Sequence, residues 1–385
     1  MKNPLGLALA LTGLALAGAV CWSADPPGLL NEVEIRAQVK LLGSDSFLSR
    51  EQACEMLLRQ GKRSRGALLE GVTIADLEIS RRCKTLLRQI DEQEKMLRLE
   101  AFLKDLDGGK NTDLPGWSRF QKLVGKDSDA RSFFAQIYKG DPAFLEESET
   151  NPALARDLLT GKCQWLHNNV FNPGGGLPQT VALTDIGAVV FSATRPAAHL
   201  PQETLYNITN LLYQPTARDA ITGGKSVPFR KLVVAWMLEQ NDPNIISQHL
   251  YLAQNLNLPE GLGLARKSAT DKKLPLYTRA VALTLIGKMG TRDDAPTLRE
   301  YVNDASLLGN FQLANQQGGS TQVRDVALAM LVQVTAQSHK DYGFSFAKAN
   351  QNLHFNPYMM GFQTDTQRQD AFKKWQIWDK ANPGK

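Results

Sequence analysis

The sequence predicts an all-α protein built from stacked helical hairpins, and three observations support this fold class. An arginine-led amphipathic segment recurs along the chain, most clearly between Arg279 and Arg324. Residues that tolerate a left-handed helix end follow several of these segments at a fixed distance. The strict alternation of apolar and polar residues that is typical of half-buried strands is scarce, which favours helices throughout.

The recurring segment has a defined internal spacing. An arginine is followed three positions later by a small or branched apolar residue, and four positions further by a large apolar one. The pattern occurs at Arg50, Arg230, Arg279 and Arg324. Because this spacing puts the apolar residues on one helix face, each segment predicts an amphipathic helix that begins with a solvated arginine.

The expected ends of these helices are also regular. Gly61, Asn241 and Gly290 each lie at the same distance after one of the arginines, and Gly and Asn favour the left-handed cap that ends a helix. A short second helix is expected after each stop, at 65–72, 243–254 and 294–304. One such hairpin cannot bury its apolar face alone, so neighbouring hairpins must stack.

These segments resemble a known repeat family. The Arg-x-x-Ala-x-x-x-Leu helix with its Gly stop is similar to a HEAT-type repeat, and so is "EISRRCKTLLRQI" (78–90). With "DLPGWSRFQKLVG" (113–125) and "DYGF" (341–344), the chain is similar to uncharacterised secreted bacterial HEAT-like proteins. The resemblance covers about 45–92 and 226–345. It implies an α-solenoid of HEAT/armadillo-like hairpins and no catalytic residue.

The remaining regions define the expected domain organisation. The middle of the chain is helical but less regular, with apolar stripes that include Trp117 and Phe120, then Phe133 and Phe134, then Leu158, Leu159, Trp165 and Leu166. The long apolar run 181–192 reads as a buried helix. The predicted parts are a signal peptide at 1–24, N-terminal HEAT-like repeats at 25–92, an irregular helical region at 93–225, C-terminal HEAT-like repeats at 226–345, and an aromatic-rich loop with an amphipathic helix at 346–385.

The first residues predict export to the periplasm or the extracellular space. A positive start at Lys2 precedes an apolar run over 5–22 and small residues suited to a signal peptidase. An uncleaved signal anchor, or a lipid on Cys21, would instead attach the chain to a membrane.

The net charge of +5 comes from interleaved residues of both signs and forms no basic face, so no nucleic-acid partner is expected.

After export, three cysteines remain, at Cys54, Cys83 and Cys163. Their odd number excludes a complete disulfide framework, and whether Cys54 and Cys83 pair is left open. We interpret them as small buried residues on helices.

Known catalytic and cofactor-binding motifs are incomplete or absent in this sequence. The glycine-rich stretch "FNPGGGLPQT" (171–180) lacks the lysine of a phosphate loop, and Pro178 removes an amide donor, so it reads as a connector. Thr184 and Asp185 then offer a helix cap. An EF-hand register over 105–116 places Lys110 where glycine is needed. With no paired histidines and no nucleophile motif, the prediction is a non-enzyme without cofactor or metal.

Aromatic residues are concentrated near the C-terminus. The candidates for contacting a partner are Phe355, Tyr358, Met359, Met360, Phe362, Trp375 and Trp378. Aromatic and methionine side chains dominate the energetics of protein interfaces. The alternative is that these residues cap the open edge of the last repeat, and helix 366–381 would direct Phe372, Trp375 and Trp378 to one side.

The resulting functional hypothesis is an exported, non-enzymatic scaffold that binds a protein partner. The alternative is a small-molecule or carbohydrate binder, or an enzyme, with its pocket in the 165–215 region. Convergence of His167, Asn168, Asn169 and Asp185 in one pocket would favour this alternative, whereas their spread along a surface would favour the scaffold.

Overall fold

The structure is a computed structural model. It describes residues 28–105, 114–171, 180–195, 200–239, 243–312, 318–344 and 355–383. The predicted signal peptide at 1–24 and the glycines of the 171–180 stretch lie outside these ranges. The chain is predominantly helical, which confirms the all-α prediction, and it divides into two compact units between Leu97 and Arg98.

The described residues of the first unit form four α-helices. They are α1 (Glu32–Leu41), α2 (Phe47–Gln60), α3 (Arg65–Val72) and α4 (Leu77–Lys104), the last of which continues past the division. Helix α1 packs against α2 and α3. The core of this unit is formed by apolar residues from all four helices, including Val39, Leu57, Leu68 and Cys83.

Helix α2 follows the arginine-led pattern closely. The Ser46 side chain accepts a hydrogen bond from the Ser49 amide and caps the helix start. Ala53 and Leu57, the two apolar positions of the pattern, are fully buried. The helix ends at Gln60, and Gly61 follows with a positive φ of 53°, a conformation that favours glycine. The predicted stop and the second helix at 65–72 are both confirmed here.

The second unit carries the remaining elements. The helices of its first part are α5 (Trp117–Val124), α6 (Ser128–Gly140), α7 (Pro142–Thr150), α8 (Pro152–Phe171), α9 (Leu183–Ala193), α10 (Gln202–Leu212) and α11 (Pro215–Thr222). They are followed by α12 (Val227–Glu239), α13 (Pro243–Asn255), α14 (Leu262–Thr270), α15 (Leu276–Met289), α16 (Ala295–Arg299), β1 (Leu307–Gln312), β2 (Gly318–Gln322), α17 (Val323–Val334) and α18 (Asp365–Ala381).

An aromatic cluster occupies the core where α5, α6 and α9 meet. Phe120 contacts Phe134 with ring centroids 4.9 Å apart, and Phe191 at 5.4 Å. Trp117 packs edge-on against Phe102 at 5.1 Å. These contacts confirm the apolar stripes predicted around Trp117 and Phe133. They also confirm the buried helix predicted at 181–192.

The region predicted to hold C-terminal repeats departs from the expected pattern in two places. Gly290 does follow helix α15, but with φ −75° and ψ 178°, so the left-handed cap predicted there is wrong. The second helix predicted at 294–304 is shortened to α16, Ala295–Arg299. Asn241, the other expected stop, lies outside the described residues.

The main departure is an antiparallel β-hairpin, which the sequence analysis missed. Strand β1 pairs with β2 in the stretch between α16 and α17. Ser320 of β2 also exchanges backbone hydrogen bonds with Phe362, which ties the C-terminal segment to the hairpin. This approach requires glycine at Gly361, since a β-carbon there would lie 2.1 Å from the Ser320 carbonyl oxygen.

Candidate functional site

The candidate site is an open cleft of 830 Å³ in the second unit, lined by the end of α6 and by α7, α8 and the first turn of α9. Its lining residues are Gly140, Asp141, Ala143, Phe144, Glu147, Leu158, Gly161, Lys162, Trp165 and Asp185. We call this feature the Trp165 cleft. It combines aromatic, aliphatic and charged side chains.

The centre of the cleft is an ammonium group held between two carboxylates. Lys162 Nζ lies 2.7 Å from Asp141 Oδ2 and 3.2 Å from Asp185 Oδ1. It also lies 5.1 Å from the centroid of the Phe144 ring, within the range of a cation–π interaction. The lysine side chain is only 11% exposed, so its charge is balanced by these neighbours more than by solvent.

The local sequence explains how the two aspartates reach the same lysine. Asp141 ends α6 and caps α7, since its Oδ1 accepts the Phe144 amide at 3.0 Å and leaves Oδ2 for Lys162. Asp185 lies in the first turn of α9, where a negative charge is favourable. The helix cap predicted at Thr184 and Asp185 is wrong, because the N-cap is Ala182.

Helix α8 presents one face to the cleft. Leu158, Lys162 and Trp165 are spaced by about one helical turn, so their side chains share this face. Leu159 and Leu166 lie on the buried side, as the stripe predicted, but Trp165 is 60% exposed. The assignment of Trp165 to a buried stripe is therefore wrong: it is a large, solvent-accessible aromatic at the rim of a charged cleft.

The charge of the Trp165 cleft differs in sign from that of the whole chain. Its described lining includes three carboxylates, from Asp141, Glu147 and Asp185, and one ammonium, from Lys162. The chain as a whole carries a net charge of +5. Asp141 and Asp185 are about one-third exposed and Glu147 is exposed, so the excess negative charge is accessible from solvent.

Of the four polar residues proposed for a pocket in 165–215, one lines the Trp165 cleft. Asp185 lies there with Lys162, whereas His167 packs on Phe171 with ring centroids 4.6 Å apart. Asn168 is exposed and, like Asn169 and His167, is not part of the cleft lining. The cleft therefore does not bring together the four residues whose convergence would favour the alternative of a pocket in 165–215.

The C-terminal aromatic candidates divide by burial. Four of them are at most 6% exposed and belong to the core of the second unit: Phe355, Met360, Phe362 and Trp375. Tyr358 is 36% exposed and stacks on Tyr277 at 5.1 Å. Met359 and Trp378 are partly exposed. A partner could reach the last three without rearrangement of the core.

The cysteines are free thiols in the described chain. Cys54 is partly exposed, and Cys83 and Cys163 are buried. Burial raises the pKa of Cys83 to about 11 and that of Cys163 to about 12, so both thiols are protonated at neutral pH. No group of three or more potential metal ligands occurs among the residues that the structure describes.

The charged and aromatic residues of the cleft that the sequence did not single out are Asp141, Phe144, Glu147 and Lys162. The signal available was the Asp-Pro start of α7 and the one-turn spacing of Leu158, Lys162 and Trp165.

Over the described ranges, none of the helices has the length and apolar character needed to cross a bilayer.

Comparison of the chain with protein-family models, with curated proteins and with solved structures finds no match. The similarity to HEAT-type repeats therefore stays a prediction from the sequence.

Proposed function

We propose that this protein is an exported, non-enzymatic binding scaffold that holds a protein partner at the Trp165 cleft. The single observation that carries the proposal is the 60% exposed indole of Trp165 beside an open cleft of 830 Å³. Exposed tryptophans are enriched among the residues that dominate binding energy at interfaces. The proposed solenoid of stacked hairpins would display such a cleft on an extended surface.

The rest of the cleft is organised as a rigid support for that aromatic. Phe144 and Leu158 form apolar walls, and the Lys162 pairs tie α7, α8 and α9 together around them. A preorganised cleft loses less conformational entropy on binding than a flexible one. The buried C-terminal aromatics are assigned to the capping role, which leaves Tyr358, Met359 and Trp378 as a secondary contact surface.

The experiment places a photo-cross-linking amino acid at Glu147, on the exposed rim of the cleft, in the chain from residue 25 to 385. A protein from the native exported fraction that cross-links at this position is then purified, and its affinity is measured for the unmodified chain and for two variants. Trp165→Ala removes the exposed indole. Phe171→Ala is the matched control, because Phe171 is an exposed aromatic on the same helix outside the cleft lining.

The expected result is a loss of affinity of about tenfold or more for Trp165→Ala, equivalent to about 1.4 kcal/mol, with little change for Phe171→Ala. Equal affinity of the unmodified chain and the Trp165→Ala variant for the purified partner would contradict the proposal.

A further inference from the structure

We propose that the Trp165 cleft receives a basic side chain, an arginine or a lysine, from an exposed segment of the partner protein. This inference rests on the proposed function, because it specifies the chemistry of the partner at the same cleft.

The composition of the accessible rim supports this proposal. Trp165 is largely exposed, and cations bind favourably over the face of a tryptophan ring. Glu147 is exposed on the same rim, and the three carboxylates of the lining exceed its one ammonium. An arginine or lysine on an approaching segment would meet both an aromatic face and uncompensated negative charge.

The cleft itself contains a cation held by carboxylate and aromatic groups. Lys162 is an ammonium held by two aspartates at 2.7 and 3.2 Å beside the Phe144 ring at 5.1 Å. Toward solvent, the lining also holds one exposed carboxylate, Glu147, and one exposed aromatic ring, Trp165. The inner set already binds the chain's own cation, so the outer set offers similar chemistry to a cation from outside.

The open shape of the cleft also supports this proposal. A small molecule is usually enclosed over most of its surface by its site. The Trp165 cleft is open to solvent instead, with its aromatic on the rim. Such a site suits a side chain delivered by a larger protein surface, which provides the remaining contacts around the cleft.

The test uses isothermal titration calorimetry of residues 25–385 with short Gly/Ser peptides that differ only in two central residues. The central pairs are arginine, lysine, citrulline or glutamate. Citrulline matches arginine in shape and lacks its charge. The arginine peptide is also titrated into Trp165→Ala, Glu147→Gln and the control Phe171→Ala, and free spermidine is titrated into the unmodified chain.

We expect the arginine and lysine peptides to bind, the citrulline peptide to bind at least about tenfold more weakly, and the glutamate peptide to give no heat. Trp165→Ala is expected to weaken arginine-peptide binding about tenfold and Glu147→Gln about threefold, while Phe171→Ala leaves it unchanged. Added salt weakens the binding, because the rim charges are accessible to solvent.

Each of these results would overturn the inference: equal binding of the arginine and citrulline peptides, equal binding of the arginine peptide to the unmodified chain and Trp165→Ala, or binding of spermidine in preference to both basic peptides. If the purified partner needs Trp165 but neither basic peptide binds, this inference fails and the proposed function stands. If the partner does not need Trp165, the proposed function itself fails.

Discussion

Arg368 forms a buried ion pair with Asp325, which lies 43 residues earlier in the chain. Arg368 Nε donates to Asp325 Oδ1 at 2.9 Å and to Oδ2 at 3.1 Å. The arginine is 3% exposed and the aspartate is fully buried. Asp325 Oδ2 also accepts the Gln322 amide, and Arg368 Nη2 donates to the Ser320 carbonyl oxygen. This pair therefore joins α18, α17 and β2 in the C-terminal part of the second unit.

We predict that Asp325→Asn destabilises the protein by about 3 to 5 kcal/mol, because it removes the only buried carboxylate that pairs with the Arg368 guanidinium among the described residues and leaves the exposed Asp365. Urea unfolding followed by circular dichroism measures the change. Asp365→Asn is the matched control, since Asp365 also contacts Arg368 but is 78% exposed. It should cost less than about 1 kcal/mol. Similar losses for both variants would show that the buried pair has no special role.

A second prediction concerns the contact between β2 and the C-terminal segment. Gly361→Ala should destabilise the protein by about 1 to 3 kcal/mol, because its β-carbon would overlap the Ser320 carbonyl oxygen at 2.1 Å. Gly263→Ala, inside α14 with open space around it, should instead stabilise by about 0.5 to 1 kcal/mol. Thermal melts of the two variants should therefore move in opposite directions, and a shift of both in the same direction would be inconsistent with this packing.

A third prediction concerns a carboxylate shared by two arginines. Glu149 is 10% exposed, and its Oε1 lies 2.5 Å from Arg119 Nη2 and 3.0 Å from Arg195 Nη2. Burial lowers the pKa of Arg119, whereas the hydrogen bond and negative charge of Glu149 act to raise it. Glu149→Gln should cost about 3 kcal/mol, because two partly buried guanidinium groups lose their shared counter-charge. Glu147→Gln, on the same helix but exposed, should unfold at nearly the same denaturant concentration as the unmodified chain.

The fourth prediction is a loss of stability in mild acid. His249 is fully buried, and burial lowers its pKa from 6.5 to about 4. The unfolded chain therefore binds this proton more readily than the folded protein. Stability is full above pH 6.5 and declines as the pH falls toward 4, with a total loss of about 3 kcal/mol from this group.

Burial also lowers the pKa of His339, which contributes to the acid loss in the same direction. His249 Nδ1 lies 3.0 Å from the Met237 carbonyl oxygen, and His249→Asn keeps an amide donor for that oxygen. Free energies of unfolding measured at several pH values should show a shallower acid decline for His249→Asn. An unchanged slope would assign the acid loss to other groups.

Local patterns predicted the helical elements best. Three features are found within a residue or so of their expected places: the helix end at Gly61, the helix at 65–72 and the C-terminal helix at 366–381. Each of them depends on caps and spacing within a single element. The β-hairpin escaped prediction because its glycine-rich strand β2 lacks an alternating pattern and is stabilised by Phe362, a distant residue.

The Trp165 cleft was only partly predictable from the sequence. Asp185 was a candidate, but its contact with Lys162 depends on how α8 and α9 pack, which no local pattern states. Trp165 has the spacing of a core residue, and its exposure follows from the width of the face that α8 buries. The aromatic C-terminal candidates were chosen by composition, and composition does not separate a capping side chain from one that meets a partner.

The most direct test of the account follows the indole N–H signal of Trp165 by NMR while the arginine peptide is added. The signal is identified by its absence from the spectrum of Trp165→Phe. We expect a saturable shift of this signal, a clearly smaller shift at the same concentration of the citrulline peptide, and unmoved signals from the buried Trp117, Trp236 and Trp375. A Trp165 signal that stays in place at saturating arginine peptide, or that moves equally with citrulline, would contradict the assignment of this cleft to a basic partner segment.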